Sequence, residues 1–173
     1  MAVPNRPVSF VPSKAGEVIT LGTMKLRIME DGSNTGLSTL QDQVKMFLHE
    51  TLDMRFSCVE LIIPSRTRGP PLHWHEMHDE SFLVTKGTVR FHLHGKPDID
   101  AKAGDYIVIP TKSPHTFSNP SDEESRFFNT FTPAFYINYF KLLSEFSEEG
   151  KPLSKEANQR AMSYYATLPV PEP

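Results

Sequence analysis

The spacing of four side chains constrains this fold more than any other feature. His73 and His75 form a His-x-His pair, Glu80 follows five residues after the second, and His115 lies 40 residues beyond His75. A β-strand repeats every two residues, so the side chains at 73 and 75 leave the same face and reach one point together. Glu80 returns to that point from a neighbouring strand. His115 joins only if the fold lays its own strand alongside. Three neutral imidazoles and one carboxylate form a mixed N/O donor set suited to Fe, Mn, Ni, Cu or Zn, with coordination positions left for substrate.

The segments carrying these residues resemble the two cupin motifs. In GPPLHWHEMHDESFLVTKG the order is Gly69, His73, His75, Glu80 and Gly87, with a leading interval shorter than the usual one. In GDYIVIPTKSPHTFSN the order is Gly104, Pro110, His115 and Asn119, with Lys112 standing where the motif carries Gly. That Gly serves a tight turn, which a residue with a Cβ enters at a cost. The resemblance covers residues 55 to 133 strongly and the tail more weakly. The wording PPLHWHEMHDE is also similar to small single-domain cupins of fungal genomes, of the quercetinase-like type. The resemblance implies a mainly β protein: a single cupin jelly-roll β-barrel with C-terminal α-helices. It implies one divalent transition metal, with Fe2+ favoured and Mn2+, Ni2+, Cu2+ or Zn2+ as alternatives. It also implies a homodimer, and Glu80 acting as a base as well as a ligand.

The strand pattern agrees. Short apolar runs separated by turn residues, with 15 prolines in 173 residues, predict a closed or sandwiched β-domain. Residues 17–133 are read as the barrel, preceded by an arm at 1–16 and followed by a helical extension at 134–173. Leu40, Val44, Phe47, Leu48 and Leu52 recur at helical spacing and predict an insertion at 38–54, which serves as a packing helix, as a lid, or is retained untranslated sequence. AFYINYFKLLSEFSEEG predicts an amphipathic helix, and SKEANQRAMSYYATLP a second, with Ser154 as its N-cap and Pro169 beyond its end.

Other histidines fit the set less well. His92 and His94 alternate with Val89, Phe91 and Leu93 and are expected to face solvent, while His49 has no partner. His78 is expected at the surface or behind the ligands. Phe82 and Val84 share parity with Glu80, and Phe117 and Asn119 with His115, so all four are expected to line the pocket. In RFFNTFT the set Phe127, Asn129 and Phe131 is favoured over Phe128, Thr130 and Thr132. Trp74 is expected to point away from the metal.

Composition excludes several classes. Lys plus Arg is 18 and Asp plus Glu is 21, a net charge of −3, which gives no electrostatic case for nucleic acid or an anionic membrane. No apolar stretch reaches transmembrane length. The lone Cys58, in the run FSCVELII, reads as a small buried residue, and a cytoplasmic setting is expected. An apolar aromatic pocket around a metal suits a hydrophobic, oxygenated small molecule. The leading expectation is a dioxygenase acting on an aromatic or enol-type substrate, flavonoid- or polyketide-like. The alternatives are a non-redox decarboxylase, isomerase or cyclase, and a ligand-binding protein without turnover. A sugar-phosphate isomerase is disfavoured, because no Lys/Arg cluster marks the interior strands.

Overall fold

Alternation of apolar and polar residues marks the strands between Val18 and Thr132, and ten strands form there, with an eleventh at Thr167–Pro169, in the computed structural model, which describes residues 8–35, 55–148 and 150–171. The segment 38–54 that was read as a helical insertion lies outside the described residues.

Two antiparallel sheets pack face to face. The first has six strands: β1 (Val18–Leu21), β2 (Met24–Glu30), β3 (Ser57–Ile63), β10 (Ser125–Thr132), β5 (Asp79–Lys86) and β8 (Tyr106–Ile109), in that spatial order. The second has five: β11 (Thr167–Pro169), β4 (His73–His75), β9 (His115–Ser118), β6 (Thr88–Leu93) and β7 (Ile99–Lys102). The long strands β2, β5 and β10 bury every second side chain. In β2, Met24, Leu26 and Ile28 point inward while Lys25 faces out. In β10, Phe127, Asn129 and Phe131 are buried, the set favoured from the sequence.

Register places the interior. Asn129 pairs with Phe82, Phe131 with Glu80, and Glu80 with Ile109 on the other side. Glu80 therefore faces the space between the sheets from β5, the strand beside the edge strand β8 of the six-stranded one. Aromatic rings fill that space. Phe82 meets Phe91 and Phe127 edge-to-face at 5.2 and 5.1 Å, and Phe127 meets Phe117 at 5.1 Å. Burying such a ring is worth roughly 1.5–3 kcal/mol, and edge-to-face contact adds to it. Gly87 turns β5 into β6 at φ 69°, and a Cβ there would lie 2.7 Å from Ser125 Oγ. The motif glycine is thus required by both conformation and space.

The C-terminal region differs from the expected pair of long helices. A 3-10 turn (Ala134–Tyr136) leads into α1 (Ile137–Glu145), and α2 spans Lys155–Ser163. Ser154 is the N-cap of α2: its side chain accepts a hydrogen bond from the Ala157 N–H. The helix stops well before Pro169. Ala166 adopts φ 48°, and the next three residues form β11, which pairs with β4. Two more short elements, β7 and β11 itself, carried no strand signal in the sequence. Both are held by pairing with a neighbour, which local propensity does not report.

Candidate metal centre

Both sheets contribute to the His/Glu cluster. His73 and His115 are cross-strand partners on β4 and β9, and His75 lies two residues along β4. Glu80 comes from the opposite sheet. All four are buried. The fold therefore gathers His73, His75, Glu80 and His115 in one place. It adds His78, which was expected at the surface or behind the ligands. His78 sits in the bend between β4 and β5 and is 1% exposed.

Hydrogen bonds determine how the rings are presented. His73 Nδ1 lies 2.8 Å from Pro71 O, and His115 Nδ1 lies 2.9 Å from Ser113 O. A carbonyl only accepts, so each Nδ1 carries the proton and Nε2 keeps its lone pair. His75 Nδ1 is 3.0 Å from Thr167 Oγ1 on β11, and that hydroxyl can donate onward to Tyr165 O at 3.3 Å. These contacts orient rings in the way outer groups orient metal ligands. Thr167 and the two carbonyls had no signal in the sequence.

The cluster is short of positive charge. His115 Nε2 faces Glu80 Oε2 at 3.3 Å, and His75 Nε2 and His78 Nε2 face Glu80 Oε1 at 3.4 and 3.6 Å. With Nδ1 protonated, the first of these contacts sets two lone pairs against each other, which requires a proton or a metal ion between them. His75 Nε2 and both ring nitrogens of His78 have no hydrogen-bond partner. Buried polar atoms are rarely left so. Four ligands about 2.1 Å from a tetrahedral ion lie about 3.4 Å apart, close to the separations seen here. The donor atoms of His73, His75 and His115 lie within 4.8 Å of one another, as do those of His75, His78 and Glu80. The cluster fits a metal ion.

Titration favours the binding forms. Burial, then the neighbouring His115 and His75, hold the His73 imidazole down to about 3. Burial likewise lowers His78. For Glu80, burial alone would raise the carboxyl, but His75, His115 and His78 outweigh it and hold the group well below the usual range. Neutral imidazoles and an ionised carboxylate are what a divalent ion takes.

A cavity of about 50 Å³ abuts His73, Glu80 and His115. Phe82, Phe117, Phe127 and Asn129, all expected as lining, line it. Three other expected lining residues do not. Val84 is packed in the core one step along β5. Phe131 turns to Tyr136 and Phe140 at 5.3 and 5.4 Å. The Asn119 amide donates to the carbonyls of Ile63, Pro64 and Glu123, and its oxygen accepts from Ser121, so this side chain ties two loops together. Strand parity separates inside from outside but does not say which depth of the interior is empty. The rest of the wall includes Leu26 and Leu61 of β2 and β3, Tyr139 and Leu143 of α1, and Asn158 of α2. Among the other histidines, His94 is exposed, while the half-buried His92 bonds Ser118 and Asp98. Trp74 Nε1 donates to Glu76 Oε1, at 2.8 Å.

Lys112, at the motif's Gly position, takes φ 63°, and its N–H donates to His75 O at 2.8 Å. The turn before His115 is left-handed at this position, built with a residue that enters that conformation at a cost.

The model of the cupin domain family, Cupin_2, matches residues 59–131, which contain every motif residue from Gly69 to Asn119. Among solved structures, KdgF from Halomonas sp. aligns at TM-score 0.53 and 19% identity, covering 72% of this chain and 94% of that one. An RmlC-like cupin from Shewanella frigidimarina aligns at TM-score 0.52 and 16% identity, covering 73% and 92%. The DMSP lyase DddQ from Ruegeria pomeroyi aligns at TM-score 0.41 and 19% identity over 45% of this chain and 38% of its own. The chain therefore spans well under half of that lyase. A search of curated proteins found no significant match. The fold is a cupin-like β-sandwich, and its segment 59–131 is similar to the cupin domain family. Among the described residues, no helix is long and apolar enough to cross a membrane.

Proposed function

We propose that this protein is a metal-dependent enzyme of the oxygenase type, acting on a compact enol- or phenol-type molecule. The observation that carries this reading is an apolar cavity opening onto Glu80, His73 and His115. His73, His75, Glu80 and His115 would hold the metal, with Fe2+ favoured because the proposed reaction uses dioxygen. When bound, the ion supplies Lewis acidity toward a substrate oxygen and, if redox-active, a means of using dioxygen.

The chain's own residues supply the rest. Glu80 presents an ionised carboxylate to the cavity and accepts the proton of an enol or phenol at a carboxylate oxygen. Phe82, Phe117 and Phe127 exclude water, which strengthens electrostatic contact between that oxygen and its substrate. Size narrows the quercetinase-like expectation. Drug-sized ligands occupy pockets of about 300–1,000 Å³, and the cavity here is about 50 Å³. It suits a small enol or a single substituted ring better than a three-ring flavonoid.

Glu80 also favours a second reading. A buried, ionised carboxylate is sufficient for proton abstraction without dioxygen, as an isomerase or decarboxylase requires. Anaerobic loading with Fe2+, followed by oxygen-uptake measurements on a panel of small enols and phenols, separates the two. Uptake with product formation is expected. Product that forms equally well without dioxygen would reject the oxygenase reading in favour of the second. Glu80→Gln is expected to keep most of the metal and lose most turnover, because an amide oxygen still ligates but accepts no proton. The expected homodimer is tested by analytical ultracentrifugation.

A further inference from the structure

His78 is a buried polar ring with nothing to bond. Its two nitrogens have no hydrogen-bond partner, and it is 1% exposed. The ring is clamped between His75 and Tyr136, with centroids 4.0 and 3.9 Å away and tilts of 35° and 34°. That clamp leaves it no rotation toward water. Its Nε2 points at Glu80 Oε1 from 3.6 Å, too far for a good hydrogen bond. The same oxygen lies 3.4 Å from His75 Nε2. These separations are close to the edge of about 3.4 Å expected between ligands of one ion. A hydrophobic residue would pack between His75 and Tyr136 at lower cost, so the polarity of this position requires an explanation.

We propose that His78 is itself a metal donor, so that the site offers five protein donors, one more than the His73, His75, Glu80 and His115 set. His75 Nδ1 is engaged by Thr167, so only its Nε2 is free, and a single ion must be shared by the His73–His75–His115 and His75–His78–Glu80 triads. One donor is then in surplus. Loss of either His78 or Glu80 weakens the metal without releasing it, and loss of both releases it. This rests on the metal-enzyme reading above and adds to it: His78 is what allows Glu80 to leave the ion and take a proton while the ion stays in place.

The test is titration of the chelator-stripped full chain with Co2+ alone, followed by visible absorption and by bound metal after gel filtration. Wild type, His78→Phe, Glu80→Gln and the double variant are compared. Phe keeps a ring between His75 and Tyr136, and His78→Gln is the second variant should Phe fold poorly. The expected result is one equivalent in wild type and at least about tenfold weaker binding, with an altered spectrum, in His78→Phe. Glu80→Gln should retain metal, and the double variant should take up none. A His78→Phe or His78→Gln protein with wild-type affinity and spectrum would overturn the proposal while leaving the metal-enzyme reading standing. A wild-type protein that binds neither Co2+ nor Zn2+ overturns both.

Discussion

Thr167 Oγ1 lies 3.0 Å from His75 Nδ1, although 92 residues separate the two in the chain. The hydroxyl engages Nδ1 of His75 and leaves Nε2 turned toward Glu80. Thr167→Val keeps the shape and removes that bond. It is expected to weaken metal binding by about 10–100-fold, while Thr167→Ser restores most of the affinity. Equal affinities in all three proteins, measured by competition with a chromophoric chelator, would show that the contact is incidental.

His73 and His115 are cross-strand partners whose rings are 4.7 Å apart. Each presents Nε2 with its lone pair free. His73→Ala or His115→Ala is expected to lower the metal retained after desalting to well below one equivalent, because a strong donor is lost from the centre. Elemental analysis of protein made without a His-tag checks this. Full occupancy in either variant would remove that residue from the ligand set.

Lys112 holds φ 63° and makes an exposed contact with Glu76 at 3.5 Å. Lys112→Gly relieves a left-handed strain of about 1 kcal/mol and loses an ion pair worth little at the surface. A raised denaturation midpoint is expected, with Lys112→Ala slightly below wild type because it keeps the strain and loses the pair. Destabilisation by Gly in urea melts would mean the turn carries no strain.

Cys58 is buried on β3, and burial, with the Glu30 charge second, pushes its thiol up to about 11. In the unfolded chain the thiol ionises near its ordinary value of 9.0. Below that pH both states are neutral. Between it and 11 the unfolded state loses its proton first, so stability is lost as pH rises through this window. The stability of wild type relative to Cys58→Ala is therefore expected to fall as pH rises from 9 to 11. Iodoacetamide at pH 8.5 is expected to label Cys58 only after denaturant is added. Labelling of the native protein at the unfolded rate would contradict both statements.

Much of the site was legible because strands repeat every two residues. The sequence by itself determined that His73 and His75 share a face, that Glu80 and Phe82 share another, and that Phe127, Asn129 and Phe131 turn inward. It also determined the donor types, and with them the chemistry they can support. These are local properties, set by backbone geometry over a few residues. Tertiary structure alone decided the rest. His78 lies in a bend, where no periodicity applies, and it became interior because Tyr136, Phe131 and Phe135 close over it. Asn119 has the same parity as His115, yet it serves the loops, because the carbonyls of Ile63 and Pro64, more than 50 residues back, and of Glu123, four residues on, meet its amide. Thr167 reached His75 through β11, a three-residue strand whose stability comes from its partner. The cavity's size depended on how β1–β3 and α1 close over the sheet. Each of these depends on contacts between segments far apart in the chain, which no local pattern encodes.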